Sequence, residues 1–218
     1  GLSISDRAYQ DAVWYAKDRV QGGGKTIINH PDVRRMLMVM RASTEAMRAL
    51  LYSTYAHTDH AHKNPDVEAA KASSKRADLM TPIVKGWCTE MSNELTSLGI
   101  QVYGGMGFVE ETGVAQHYRD SRILAIYEGT NGIQAMDLIG RKLTRDGGAG
   151  YQALIADMEQ TLATVKAEGE KLAVIATRLS AGIATMKQAV AWALDNKDSD
   201  ELNSASFNLL MLTGYICG

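Results

Sequence analysis

Apolar residues recur along most of this chain at alternating steps of four and three positions, which is the spacing of one buried helix face. The stretch 33–54 shows the pattern most clearly, because its arginines all fall off the predicted buried face. That face comprises Val33, Leu37, Met40, Thr44, Met47, Leu51 and Thr54. Strand formers are scarce, with 2 Phe in 218 residues against many Ala, Met, Leu, Glu and Lys. The pattern therefore predicts an all-α protein.

Glycine and proline mark the predicted ends of the first helices. A first helix is expected over about 5–20, and the glycines of segment 22–24 end it. A second helix begins at Asn-His-Pro in segment 29–31, because proline suits the first helical position. Asn-Pro-Asp in segment 64–66 has the composition of another helix start, so a long third helix is predicted after it.

Further signals divide the middle of the chain. Pro82 is expected to kink or split the third helix, because proline removes a backbone hydrogen bond and crowds the preceding turn. The glycine-rich segment 99–107 is expected to end that helix as a loop. A short amphipathic helix is predicted over 114–125, followed by a helix over about 131–143 for which Thr130 is the N-cap.

The segment 146–150, Asp-Gly-Gly-Ala-Gly, predicts a flexible spacer and the one internal boundary. We expect an up-down helical bundle over 1–146 and an additional helical extension over 147–218. Three helices are predicted in the extension, with a turn between the last two at 196–200. The chain stops while still apolar, from which we expect a truncated fragment of a longer protein.

Charge and cysteine content narrow the functional classes. Lys and Arg number 23 and Asp and Glu 25, interspersed along the helices, so neither nucleic acid nor an anionic membrane is predicted as a partner. The two cysteines, Cys88 and Cys217, indicate no disulfide framework, and a reducing cytoplasmic location is expected. His57, His60 and His62 lie near a predicted helix end, where a solvated cluster is expected and no metal site.

One stretch combines a glycine turn and a lone carboxylate at a defined spacing. Gln101 opens Gln-Val-Tyr-Gly-Gly-Met-Gly-Phe, and Glu128, 27 residues later, lies in Tyr-Glu-Gly-Thr. The order, the spacing and the helical context resemble the C-terminal helical domain of the acyl-CoA dehydrogenases, flavoenzymes that desaturate acyl-CoA thioesters. The resemblance covers about residues 5–145. Residues 150–218 resemble the extra helices of a larger subgroup of that family.

The resemblance implies that Glu128 is the catalytic base that removes the proton alpha to the thioester, while the beta hydrogen leaves as hydride to FAD. Tyr127 and Gly129 would bind substrate. The apolar ring of Tyr127 would also shield the Glu128 carboxylate from water and make it a stronger base, and Gly129 would let the backbone approach the substrate closely. The backbone N–H of Glu128 would stabilise the enolate-like oxygen. On pattern alone, Glu128 is more simply an acid at a helix N-terminus, and some family members carry the base on another helix.

The family also implies cofactor contacts at the glycine turn. Gln101, Gly104 and Gly105 would touch the adenosine-pyrophosphate half of FAD bound by a neighbouring subunit, where residues without a Cβ let backbone N–H groups approach. Thr130 would donate its hydroxyl to FAD. Without the resemblance, the same glycines are an ordinary helix-ending turn.

Arg19 resembles the arginine that ends the first helix of the family's domain and pairs with the FAD pyrophosphate, as a guanidinium fork does. Gln21 belongs to the same expected contact. Here Arg-Val-Gln-Gly-Gly-Gly replaces the family's Arg-x-x-Phe-Gly, so an aromatic flavin contact is missing. An exposed arginine at a helix end is the equal alternative.

The implied partners are an acyl-CoA substrate, an electron-accepting flavoprotein and a second copy of the chain, in a homodimer or homotetramer. The family's N-terminal helices and middle β domain are absent, so this chain alone is not expected to bind FAD tightly or turn over substrate. The alternative class is a non-catalytic helical oligomerisation module or a flavoprotein relative, oxidase-like or DNA-associated. DNA association is disfavoured, because 151–218 carries no dense basic cluster.

Overall fold

The computed structural model describes residues 1–218 and consists of helices joined by short turns. No strand forms, and the only β-type pairing is an isolated bridge between Val20 and Thr26. The all-α prediction is therefore confirmed. The α-helices are α1 Leu2–Asp18, α2 Pro31–Lys63, α3 Val67–Tyr103, α4 Gly105–Phe108, α5 Val114–Arg122, α6 Asn131–Asp137, α7 Ala149–Ala167, α8 Ala173–Asp195 and α9 Asp200–Cys217.

Two compact units make up the chain. The first unit comprises 1–49 and 87–130, and the second unit comprises 50–86 and 131–218. Two of the three limits fall inside α2 and α3, because each of these long helices contributes one part to each unit, and the third falls at the start of α6. The boundary that we predict between residues 146 and 147 stays a prediction.

Small and flexible side chains fill the core of the first unit. Ala8, Ala12 and Ala16 form a fully buried stripe on α1, and Met40 of α2 is also fully buried. Gly99 lies in this core, where an added Cβ would be 3.7 Å from Ala8, Met40 and Val114. The expectation that a loop begins at Gly99 is therefore wrong. Glycine serves close packing here, and α3 continues to Tyr103.

Helix α3 runs without interruption across Pro82, so a split at this residue is also wrong. Pro82 itself is buried, and so are Leu79 and Ile83 on either side of it. Burial of these apolar side chains holds the helix together although proline omits one backbone hydrogen bond. The start of α3 agrees with its sequence signal, because the Asp66 carboxylate accepts hydrogen bonds from two first-turn N–H groups at 2.9 and 3.1 Å.

The second unit has its own core around Tyr151, which is fully buried together with Leu138, Met186 and Leu210. The Tyr151 hydroxyl lies 3.1 Å from the Thr213 hydroxyl, so its polar atom has a partner inside the core. The three helices expected in the extension form, as α7, α8 and α9. The side chain of Ser199 caps α9 by accepting a hydrogen bond from the N–H of Leu202 at 3.0 Å.

The helix after Thr130 differs from the prediction in its second half. α6 ends at Asp137, and the backbone continues as a π-helical turn, Leu138–Leu143. The glycines of the following spacer are held by Asp146, whose carboxylate oxygens accept hydrogen bonds from the N–H groups of Gly148 and Gly150, both at 2.9 Å. None of the helices combines the length and the apolarity needed to cross a bilayer.

Candidate functional site

Glu128 lies at the tip of a tight turn that follows α5. A 3₁₀ turn, Ile123–Ala125, extends α5, and the N–H groups of Ile126 and Tyr127 both donate to the Ile123 carbonyl, at 2.9 and 3.0 Å. Glu128 then adopts a φ of 53° and Gly129 a φ of 87°. A left-handed backbone is uncommon for a residue other than glycine and often marks a functional constraint.

The surroundings of this turn are open. Ile126 is 45% exposed and Tyr127 47%, and Glu128 and Thr130 are exposed as well. The apolar shielding that we expect around Glu128 is thus not provided by residues 1–218. The turn instead presents two apolar side chains beside a carboxylate on an accessible surface.

The end of α5, just before the turn, takes part in a buried polar cluster that the sequence does not announce by any motif. Ser121, in the last turn of α5, is fully buried, with its hydroxyl 3.1 Å from Thr96 Oγ1 and 3.1 Å from Asn93 Oδ1. Thr96 is fully buried and Asn93 partly so. The signal in the sequence is Thr89, Asn93 and Thr96, polar residues at steps of four and three along α3.

Arg19 begins a glycine-rich loop at the C-terminal end of α1. Its N–H donates to the Tyr15 carbonyl and its carbonyl accepts from the Ile27 N–H, both at 2.8 Å. The three glycines between them have φ values of 71° to 81°, which only glycine adopts readily in succession. The guanidinium of Arg19 is exposed and lies 3.4 Å from the Gln21 side-chain oxygen. A ring nitrogen of His30 lies 2.8 Å from the Gln21 carbonyl oxygen and helps fix the loop.

The glycine turn after α3 contains three glycines with different surroundings. Gly104 has φ 61° and ψ −138°, a conformation that belongs essentially to glycine. Gly107 needs its hydrogen atom, because a Cβ would lie 2.3 Å from the Ile100 carbonyl oxygen. Gly105 has no neighbouring atom within 4 Å of where its Cβ would be, so nothing within this chain requires glycine there. Gln101 is exposed in the last turn of α3.

A groove of about 270 Å³ joins the two glycine-rich segments within the first unit. Its lining includes Arg19, Gln21 and Gly104, so these three of the predicted cofactor residues come together. Gln101, Gly105, Glu128 and Thr130 do not line it. The rings of Tyr15 and Tyr103, which also line the groove, stack at 3.9 Å. Burial, and then the charge of nearby Asp11, raises the pKa of Tyr103.

The histidine segment at the end of α2 shows no metal geometry. No group of three or more His, Cys, Asp or Glu side chains in residues 1–218 is arranged to hold a metal ion. His60 and His62 are exposed, and His62 Nδ1 lies 2.8 Å from the Thr58 carbonyl oxygen of its own helix. Burial, and then the charge of Arg76, lowers the pKa of His57, so this ring favours the neutral form.

The fold and the two motifs together are those of the C-terminal helical domain of the acyl-CoA dehydrogenases. The family profile "Acyl-CoA dehydrogenase, C-terminal domain" matches residues 1–144, and the chain belongs to this family. The 3-methylmercaptopropionyl-CoA dehydrogenase of Ruegeria pomeroyi is 46% identical over 99% of this chain and 38% of its own length.

Solved structures confirm the fold. ACDH-11 of Caenorhabditis elegans, in complex with C11-CoA, matches 99% of this chain and 36% of its own, with a TM-score of 0.80 and 21% identity. An acyl-CoA dehydrogenase of Bacillus anthracis, complexed with FAD, matches 99% of this chain and 38% of its own, with a TM-score of 0.76 and 22% identity. The chain thus spans less than two fifths of the length of these proteins.

Proposed function

We propose that this chain is the C-terminal helical part of an FAD-dependent acyl-CoA dehydrogenase, in which Glu128 is the catalytic base. The observation that carries the proposal is the turn of Tyr-Glu-Gly-Thr, where Glu128 is exposed at φ 53° inside a domain of this family. A sequence under selection for folding alone would favour glycine or asparagine at this position. A glutamate here indicates selection for its carboxylate.

In the proposed reaction the Glu128 carboxylate accepts the alpha proton of the acyl thioester. The electron pair of that C–H bond becomes the alpha–beta double bond as the beta hydrogen departs. Bound FAD supplies the acceptor for that hydrogen and its two electrons. The N–H of Glu128 would donate to the thioester oxygen, on which negative charge develops. Ile126 and Tyr127 would pack against the substrate and exclude water, which strengthens a carboxylate as a base.

The residues of the first unit fit part of an FAD molecule. Arg19 is exposed, and its guanidinium has several N–H donors beyond the one near Gln21, as a pyrophosphate contact requires. Gly105 leaves open space in which a ligand could approach the backbone closely. A groove of about 270 Å³ suits a fragment of the cofactor rather than all of it, in agreement with contacts to FAD held by a neighbouring subunit. Gln101, Gly104 and Thr130 would complete these contacts.

The proposed partners follow from the same reaction. An acyl-CoA is the substrate, an electron-accepting flavoprotein reoxidises the cofactor, and a second copy of the protein supplies the shared FAD in a homodimer or homotetramer. A cytoplasmic location remains our expectation. The name of the Ruegeria pomeroyi relative suggests that the thioester panel include 3-methylmercaptopropionyl-CoA beside straight-chain acyl-CoAs.

Replacing Glu128 by Gln in the full-length protein tests the proposal. The amide cannot accept the proton, so we expect kcat to fall about 10²- to 10⁴-fold, the usual contribution of a general base. FAD content should be unchanged, because Gln keeps the shape of the side chain. Stopped-flow bleaching of the flavin by acyl-CoA measures the chemical step.

Glu111→Gln is the matched control, since Glu111 is an exposed acid in the same unit that we assign no role. Wild-type turnover in Glu128→Gln would exclude Glu128 as the base. A full-length protein without flavin, or with flavin inert to every thioester, would favour the oligomerisation-module alternative.

A further inference from the structure

The buried cluster around Ser121 ties α5 to α3 by side-chain hydrogen bonds. Ser121 and Thr96 are both 0% exposed, and their hydroxyl oxygens are 3.1 Å apart. Asn93 Oδ1 lies 3.1 Å from the Ser121 hydroxyl. Buried hydroxyl and amide groups are expensive to leave unpaired, so these partners hold each other in one arrangement.

The Ser121 hydroxyl has three oxygens within hydrogen-bond distance: the Tyr118 carbonyl of its own helix at 2.8 Å, and Asn93 Oδ1 and Thr96 Oγ1 of α3, both at 3.1 Å. The Asn93 amide nitrogen donates to the Thr89 carbonyl at 2.9 Å, which leaves its Oδ1 as the acceptor for the Ser121 O–H. The Thr96 O–H donates to the Ser92 carbonyl of its own helix at 2.7 Å, so Thr96 Oγ1 is an acceptor for the Ser121 O–H beside Asn93 Oδ1. A shift of α5 along α3 would separate the Ser121 hydroxyl from both of its neighbours on α3 and would leave Asn93 Oδ1 without this donor. The cluster therefore fixes the register between the two helices.

The register is transmitted to Glu128 through a short, hydrogen-bonded stretch of backbone. Only six residues separate Ser121 from Glu128, and Ala125 between them is buried. The helical turn ends at Ala125, but both Ile126 and Tyr127 donate to the Ile123 carbonyl, so the backbone stays hydrogen-bonded up to Tyr127 and turns left-handed at Glu128. The place at which Ser121 is held on α3 thus determines where the carboxylate emerges.

We propose that Ser121, with Asn93 as its acceptor, is a positioning residue that holds Glu128 in line with the substrate's alpha carbon. This inference depends on the proposed function of Glu128. A second tether, between His117 Nε2 and Asp11 Oδ2 at 2.9 Å, joins α5 to α1, but its side chains are partly exposed and lie further from Glu128 in sequence. The buried cluster is the nearer constraint on the turn.

The test is Ser121→Ala in the full-length holoenzyme. We expect kcat to fall about 10- to 100-fold, since a displacement of about 1 Å at a reacting group has effects of this size. KM and FAD content should stay at the wild-type level, and the primary isotope effect with alpha-deuterated acyl-CoA should rise, because C–H cleavage becomes more rate-limiting. Asn93→Ala should act in the same way, and the double variant should be no slower than the slower single variant.

Thr213→Val is the matched control, because it removes a buried, hydrogen-bonded hydroxyl from the second unit. It should lower stability to a similar extent while kcat and the isotope effect stay unchanged. If Ser121→Ala and Asn93→Ala resemble this control, the positioning role is wrong. That result, together with an inactive Glu128→Gln, would overturn this inference alone, whereas an active Glu128→Gln would overturn the proposed function.

Discussion

Gly104 and Gly105 are adjacent residues for which the structure gives different reasons for glycine. At residue 104 glycine is required by the backbone conformation itself, with φ 61° and ψ −138°. Gly105 begins α4, and no atom lies near the place that a Cβ would occupy. The sequence groups both in one motif, and no pattern in the sequence separates a conformational glycine from one that a ligand requires. The motif was thus sufficient to locate the candidate site, but the role of each glycine depends on dihedral angles.

Alanine substitutions should separate the two roles. Gly104→Ala should lower the free energy of unfolding by about 1–3 kcal/mol, because a Cβ is strained in this backbone conformation. Gly105→Ala should leave it unchanged or raise it by up to about 1 kcal/mol, since alanine favours a helix over glycine. Urea unfolding of both variants measures these effects.

In the full-length protein, Gly105→Ala should nevertheless weaken FAD retention, because the added methyl group faces the proposed cofactor approach. Flavin absorbance after gel filtration measures retention. Full FAD content in a stable Gly105→Ala variant would argue against cofactor contact at this residue.

At the scale of helices, capping chemistry is local and therefore predictable from sequence. Pro31 begins α2, Asp66 caps α3 and Ser199 caps α9, each at or within a residue or two of its sequence signal. Gly99 and Pro82 gave wrong expectations, because both are buried where packing outweighs their local preference to end a helix. No residue or pattern in the sequence predicts the π-helical turn that follows α6.

The crossing of α3 and α9 at Gly86 gives a prediction at this scale. An added Cβ would lie 2.6 and 2.8 Å from the two δ-carbons of Leu210, which is fully buried. Gly86→Ala should therefore lower the free energy of unfolding by about 1–3 kcal/mol, the usual result of overpacking.

A double-mutant cycle with Leu210→Ala checks the cause. The smaller side chain at 210 makes room for the methyl group at 86, so the double variant should be more stable than the sum of the two single changes predicts. Additive losses in urea unfolding would mean that the two helices are not in close contact at these residues.

At the scale of the whole chain, the proposed site and the extension belong to different parts of the structure. All seven residues assigned to the base and to FAD lie in the first unit, whereas α7, α8 and α9 build the core of the second. The all-α class, the family and the order of helices could be predicted from sequence, because periodicity and motifs are local. The exposure of Glu128 could not be predicted from sequence, because it depends on which residues distant in sequence pack around the turn.

Stability at alkaline pH tests burial in the first unit. Burial raises the pKa of the Cys88 thiol to about 12. In the unfolded chain the thiol ionises near pH 8.5, so its contribution is complete below that pH and is lost as pH rises towards 12. From this group alone the free energy of unfolding should be about 2 kcal/mol lower at pH 10 than at pH 7.

Cys88→Ala removes the ionisable group. Urea unfolding of both proteins at pH 7 and pH 10 should show a smaller loss in the variant, by about the amount assigned to Cys88. Equal losses in the two proteins would show that the thiol at residue 88 reaches water in the folded state.

The left-handed turn at Glu128 has a consequence for the history of related sequences. The backbone there suits glycine or asparagine better than glutamate, so folding and the proposed chemistry exert opposite selection on one codon. A descendant that abandons the reaction, or moves its base to another helix, is released from this conflict and should drift to glycine or asparagine at this position early. The residue at this turn is therefore an inexpensive marker for sorting homologous genes, before any assay, by where their proton acceptor lies.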